Sequence, residues 1–122
     1  MKLHLTRAEG RNLITGYGSG WVEINETRHT SSLIVLPNLL QTDWAVPDFE
    51  HLTADHIARI AALKPEIALL GTGATHRFVP PRIASPLLDI GVSLECMNTA
   101  ALCRTWNILL AEGRHVAAAL IL

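Results

Sequence analysis

"PEIALLGTGATHRFVPPRIASPLLDIGVSLECMNTAALCRTWNILLAEGRHVAAALIL", residues 65–122, decides the fold. It contains three short apolar runs, at 65–71, 92–97 and 115–122, each of strand length. The first ends in a glycine and the last is apolar on both faces, as a buried strand is. Between them lie a short helical stretch at 80–91, stopped by Gly91, and a longer one at 98–114. Strand, helix, strand, helix, strand implies two right-handed crossovers and three parallel strands.

The longer helix is the clearer of the two. Asn98 or Thr99 caps its first turn. At about 100° per residue, Leu102, Cys103, Trp106, Leu109 and Leu110 share one stripe with Thr99 at its top. That stripe is the expected core face, with Arg104, Thr105 and Glu112 away from it and Ile108 nearly opposite. An exposed Ile108 would suit a partner surface. The shorter helix contains Pro86 and leaves two readings open. Either Ser85 caps a very short helix with Pro86 at its first position, or a longer helix from Pro81 is kinked.

Residues 1–64 read differently. "LHL" (3–5) suits a short edge strand, and "WVEIN" (21–25) alternates as a half-buried strand does. Gly16, Gly18 and Gly20 permit turns or a bulge between short strands. "SSLIVLP" (31–37) is a buried strand stopped by Pro37. A long connection follows, draped on the core through Trp44 and Phe49. "TADHIARIAAL" (53–63) is a helix with Thr53 as N-cap, an early Asp55, and Ile57, Ile60, Ala61 and Leu63 on helical spacing. The expected fold is therefore α/β and three-layered, with a mixed central sheet. Its C-terminal half is a parallel β-α-β-α-β unit. The β-rich N-terminal half adds antiparallel strands to that sheet or packs as a separate hairpin layer.

Composition agrees with one domain over residues 1–122. Hydrophobic residues make up 49% and charged residues 17%, so the chain can bury a core without disulfide or metal. The net charge of −1 gives no reason to expect binding to nucleic acid or to an anionic membrane. The longest apolar run, 116–122, is too short to span a bilayer, and the first residues lack an apolar signal core. These features point to a soluble cytoplasmic protein without membrane insertion. No residue set calls for a cofactor or metal, and a homo-oligomer stays open.

Gly71-Thr72-Gly73 superficially suggests a phosphate loop. A dinucleotide fingerprint needs a third glycine where His76 stands, and a helix opening directly on the phosphate. Pro80-Pro81 and the loop before it intervene, and there is no P-loop lysine. What remains is a glycine turn at the carboxyl edge of a parallel sheet, where open α/β sheets bind ligands. The candidate ligand site is Gly71, Thr72, Gly73, Ala74, Thr75, Glu95, Met97, Thr99, Cys103, Arg104 and Asn107. Glu95, near the end of a strand taken as buried, is expected to pair with Arg104. Asn107, a poor helix former in mid-helix, is expected to hydrogen-bond an adjacent loop such as the GTG turn. Cys96 and Cys103 match neither a zinc pair nor a redox pair. Cys96, at a helix start that lowers thiol pKa, is the one candidate nucleophile, with His76 its only candidate base.

The C-terminal block also resembles a known family. The GTG turn matches its loop, and Glu95, Met97, Thr99, Ala101, Cys103, Arg104, Thr105, Asn107, Leu109, Glu112, Gly113, Arg114, Val116 and Leu120 match its signature. "HTSSLIVLP" and the tryptophan after it also fit. The family is a bacterial and archaeal domain of unknown function. Its mitochondrial relative is the third assembly factor of respiratory complex I. Cys96, Asn98, Leu102 and Trp106 depart from the pattern, which has valine, aspartate, alanine and tyrosine there. The tyrosine-to-tryptophan change suggests that packing outweighs hydrogen bonding at 106. The resemblance implies a three-layer α/β fold with a mixed central sheet and, for the mitochondrial relative, protein–protein work. The leading expectation is a non-enzymatic interaction or assembly factor with protein partners. A small-ligand or anion-binding module is second, and a thiol-dependent enzyme third.

Overall fold

The computed structural model describes residues 10–122. The expected strand at 3–5 lies outside them. Among the described residues eight strands form two sheets. β1 (Ile14–Gly18), β2 (Trp21–Ile24) and β3 (Thr27–His29) make an antiparallel three-stranded sheet. β4 (Leu33–Leu36), β5 (Leu39–Gln41), β6 (Ile67–Gly71), β7 (Leu94–Met97) and β8 (Val116–Leu120) make a second sheet in the order β5-β4-β8-β6-β7. Within it β6 runs parallel to both β7 and β8, while β4 runs antiparallel to β8 and to β5. The first half of the chain thus does both things expected of it. β4 and β5 extend the central sheet, and β1–β3 form a separate layer.

The helices are α1 (Ala54–Ala61), α2 (Pro81–Leu88) and α3 (Thr99–Ala111). β7 and β8 lie on opposite sides of β6, so two crossovers of one hand put α2 and α3 on opposite faces. The two cores show this. Leu102, Cys103, Trp106 and Leu110 of α3 share one core with Ile14, Val22 and Ile24, and with Leu33, Val35, Leu69 and Ala118 from the central sheet. Ile57, Ile60 and Leu87 share the other with Trp44 and with Ile34, Leu36, Ala68, Leu70, Ala117 and Ala119. Successive residues of β4, β6 and β8 alternate between the two cores, as a pleated strand covered on both faces requires. The layers are α1 with α2, then the five-stranded sheet, then α3 beside the three-stranded sheet. The alanines of β8 keep its surface low where Trp106 fills one core and Trp44 the other, and both indoles are almost fully buried.

Local chemistry sets the element ends. Thr53 caps α1, and His56 Nδ1 accepts from the Thr53 N–H at 3.0 Å. α2 runs from Pro81 with Pro86 inside it, which decides between the two readings of that stretch. Pro86 has no N–H for the Arg82 carbonyl four residues back. Ser85 Oγ donates to that same carbonyl at 3.2 Å. Gly91 then adopts φ +77°, and the Val92 N–H returns to the Leu87 carbonyl at 3.0 Å, closing the helix end. Asn98 rather than Thr99 caps α3, its Oδ1 accepting from the Ala101 N–H at 2.8 Å. A register shift between Ile14 and Gly16 marks the bulge that the glycines allowed.

Candidate functional site

β6 leads toward α2 on one face and β7 leads into α3 on the other. A crevice between their carboxyl ends is therefore expected. In the structure the two loops are bonded to each other across it. The Thr72 N–H donates to Met97 C=O at 2.9 Å, the Thr99 N–H to Gly73 C=O at 2.9 Å, and the Gly73 N–H to Thr99 Oγ1 at 3.1 Å. Thr72 Oγ1 donates to Thr75 C=O at 2.6 Å and accepts from the Arg77 N–H at 3.2 Å. A Cβ on Gly71 would stand 3.3 Å from Leu102 Cδ1 and 3.4 Å from Thr99 Oγ1. The glycine therefore sets how closely the turn approaches the helix.

The concave space lies in front of this junction. A cavity of about 560 Å³ is walled by the β1–β2 turn, the Gly73-Ala74 corner, the start of α3 and the residues after β8, Ile121 and Leu122. Tyr17, Gly18, Ser19 and Gly20 supply the first wall, and Asn98, Thr99 and Ala100 the third. Its size is within the ordinary range for small-molecule sites. The hairpin wall is shaped by Trp21, whose indole lies so close over Gly18 that a Cβ there would meet Nε1 at 2.3 Å. The Arg28 guanidinium caps the same ring at 3.8 Å from its centroid.

Of the residues expected at the site, Gly71 through Thr75, Met97 and Thr99 come together. Arg104 reaches the rim, where Nη1 donates to the Tyr17 hydroxyl at 3.4 Å. The expected Glu95–Arg104 pair is absent among the described ion pairs. The premise was a buried strand, whereas among the described residues β7 is the edge of the sheet, and Glu95 is exposed. Cys103 is in the core under α3, away from the cavity. Asn107 does not touch the GTG turn. Its Oδ1 accepts from the Ile14 N–H at 3.1 Å and its Nδ2 donates to Ile14 C=O at 2.9 Å. The side-chain amide thus takes the place of a neighbouring strand for the start of β1. Sequence reading missed the hairpin wall. Its signal was "GYGSG" (16–20), a tyrosine set among glycines, which reads as turn chemistry and not as a site.

The thiols are not activated. Burial pushes the Cys96 thiol above its ordinary pKa, the nearby Val79 main chain offsetting this in part and the Glu95 carboxylate adding to it. The direction is opposite to the lowering expected of a thiol at a helix start, and burial is its chief cause. The Cys103 thiol is pushed up to about 12 by burial, against the opposing charge of Arg104. His76 packs its ring on Phe78, centroids 4.5 Å apart, and among the described residues no hydrogen bond joins it to Cys96. No group of His, Cys, Asp or Glu among the described residues has the arrangement of a metal site. The loop before α2 is pinned from outside by Arg77, which pairs with Glu50 at 2.7 Å and stacks 4.5 Å from the Phe49 ring centroid. The Glu50 carboxyl is held below its ordinary pKa chiefly by that hydrogen bond.

This architecture is that of the Mth938-like domains. It superposes on a crystal structure of a Bordetella parapertussis protein with a TM-score of 0.86 and 38% identity, over 94% of this chain and 98% of that one. It matches the Mth938-like domain of Bordetella pertussis, solved in solution, with a TM-score of 0.83 and 33% identity, over 99% and 92% of the two chains. The chain belongs to the DUF498/DUF598 family of proteins of unknown function, whose model matches residues 14–121. Among relatives, an uncharacterised Rhodobacter capsulatus protein is 36% identical over 110 residues, 88% of this chain and 82% of that one. A Francisella tularensis protein named 13 kDa major membrane protein is 28% identical, over 86% of each chain. Human NADH dehydrogenase [ubiquinone] 1 alpha subcomplex assembly factor 3 is 30% identical over 88% of this chain. The match covers 59% of the human protein's length. No helix among the described residues is long and apolar enough to cross a membrane.

Proposed function

We propose that this protein is a non-enzymatic assembly factor that binds other proteins, in the manner implied by its relatives' name. The observation that carries the reading is the relationship to complex I assembly factor 3, which runs through nearly all of this chain. Two features support it. Main-chain and hydroxyl groups of Thr72, Gly73, Met97 and Thr99 at the sheet's carboxyl edge are bonded to one another, which commits them to the fold. The cysteine nearest that edge is held as a neutral thiol. In this reading the protein works in the cytoplasm, and its clients are subunits of an NADH dehydrogenase on their way into the complex.

The test is a deletion strain of the source organism, complemented by a tagged copy. Native gels should show the assembled dehydrogenase reduced several-fold in the deletion. The tagged protein should bring down defined dehydrogenase subunits, with soluble and membrane fractions processed separately. Normal assembly together with no stoichiometric partner in either fraction would rule the reading out.

A second reading rests on the cavity between the β1–β2 turn and the start of α3. There the protein binds a small anion or carboxylate, received by Gly73-Ala74, Thr99 and Arg104. A thermal-shift screen of nucleotides, phosphates and carboxylates is then expected to show a rise of several degrees with at least one compound, lost in Tyr17→Ala. A tight ligand at about 100 times its Kd stabilises by roughly 2.7 kcal/mol. A flat screen removes this reading and leaves the first untouched.

A further inference from the structure

The central sheet, among the described residues, ends on one side at β5 and on the other at β7. Among the described residues β7 bonds to β6 alone. The Thr72 N–H donates to Met97 C=O, so the Met97 main chain faces β6. Main-chain groups of successive strand residues turn to opposite sides. Glu95 therefore also faces β6, and the N–H and C=O groups of Leu94 and Cys96 face outward. No main-chain hydrogen bond among the described residues uses them, and the Cys96 thiol lies a long 4.0 Å from Leu94 C=O.

Edges of this kind are usually guarded by charge, shortness or a covering loop. β3, the edge of the smaller sheet, carries Arg28 and His29, and β5 is three residues long. The segment that leads into β7 exposes apolar side chains instead. Leu88 and Ile90, which lead toward it, are 48% and 49% exposed. Phe78, next to the Val79 that packs in the same core as Cys96, is 81% exposed. Glu95 is the one charge on the strand, and its carboxylate has no ion pair or hydrogen bond among the described residues.

We propose that the outer edge of β7 is a docking edge for an extended segment of a partner protein that carries a lysine or arginine opposite Glu95. The inference deepens the assembly-factor reading and rests on it for the existence of a partner. The segment would lie as a sixth strand on the central sheet, bonded to the main chain of Leu94 and Cys96. Its side chains would alternate between two rows. One row meets the exposed end of α2 at Leu88 and Ile90. The other meets Glu95 on the face of the sheet that α3 covers. Opposite charges across a strand pair attract and like charges repel, so Glu95 selects a basic residue. The same rule disfavours a second copy in the register that sets Glu95 against Glu95.

The probe is a displayed library of ten-residue linear peptides, selected on the intact protein. Counter-targets are Cys96→Pro and Glu95→Lys, each checked for an unchanged circular dichroism spectrum. The proline removes an outward N–H that β6 does not use, a position edge strands tolerate. Enriched peptides are expected to alternate apolar residues around one lysine or arginine. They should bind both variants at least tenfold more weakly, and Glu95→Lys should select acidic peptides instead. Peptides that bind the variants as tightly as the parent, an empty selection, or a dimer in sedimentation that Cys96→Pro dissolves would each overturn the proposal. If Cys96→Pro does not fold, the charge swap at Glu95 decides alone. The tagged-copy experiment separates the two claims. Glu95→Lys retaining every partner sinks the edge alone, whereas a parent protein with no partner sinks the assembly reading.

Discussion

Trp106→Ala is expected to destabilise the protein by about 3–5 kcal/mol, the range for deleting a large buried aromatic. Trp106 is completely buried, under the three-stranded sheet and over the alanine-lined β8. Its Nε1 donates to the Asn12 carbonyl at 2.9 Å. Truncation removes the ring's contacts with both sheets and that bond as well. Neighbours from α3 and from two separate sheets cannot all collapse into the space. Urea denaturation followed by circular dichroism checks the value. Trp106→Phe separates the two contributions, since it keeps most of the packing and loses the donor. A loss of about 1–2 kcal/mol is expected for it. Trp106→Ala costing less than Trp106→Phe would show that the indole is not what couples α3 to β1.

The same residue shows how far sequence reading reaches. Helical periodicity placed Trp106 on the core stripe, and the structure puts it there with Leu102, Cys103 and Leu110. The expectation that packing outweighs hydrogen bonding there left out one bond. The indole N–H finds an acceptor in Asn12, 94 residues away in sequence. The parallel unit was legible because each element carries its own period, apolar runs for β6 and β8 and a stripe for α3. β3 and β5 were not. β3 is polar throughout and follows a two-residue turn made by Asn25 and Glu26 at φ 50° and 69°. Asn-Gly is the usual signal for such a turn, and glutamate gives no hint of it. β5 was lost inside the long connection that also carries Trp44.

The candidate site was half legible for a similar reason. Residues near one strand end, Gly71 through Thr75, Met97 and Thr99, follow from topology once the parallel order is known. Which other segment faces them does not follow. The hairpin wall comes from residues 17–20, and nothing local says that this turn stands opposite the start of α3. Glu95 was misread because strand order was unknown. An apolar-flanked strand next to a long helix looks central, and only the order β8-β6-β7 makes it an edge.

Asn107 makes both hydrogen bonds between α3 and the Ile14 main chain, and this gives the second large effect. Asn107→Leu keeps a similar volume and leaves the Ile14 N–H and C=O without partners, in a place where Ile14 is fully buried. Each buried main-chain group left unpaired costs about 1–3 kcal/mol, so a loss of roughly 2–4 kcal/mol is expected. Part of it should be local. β1 meets β2 through an antiparallel ladder that the substitution does not touch, so the hairpin can lift from α3 as a unit. Amide exchange then distinguishes two outcomes. If Asn107 fastens the hairpin, protection falls at Ile14 and along β1 while β6 and β8 keep theirs relative to global stability. Uniform loss along all strands would mean that Asn107 supports the whole core and that the cavity wall has no separate fastening. Since Tyr17 through Gly20 form that wall, the first outcome makes the cavity's width depend on one buried amide of α3.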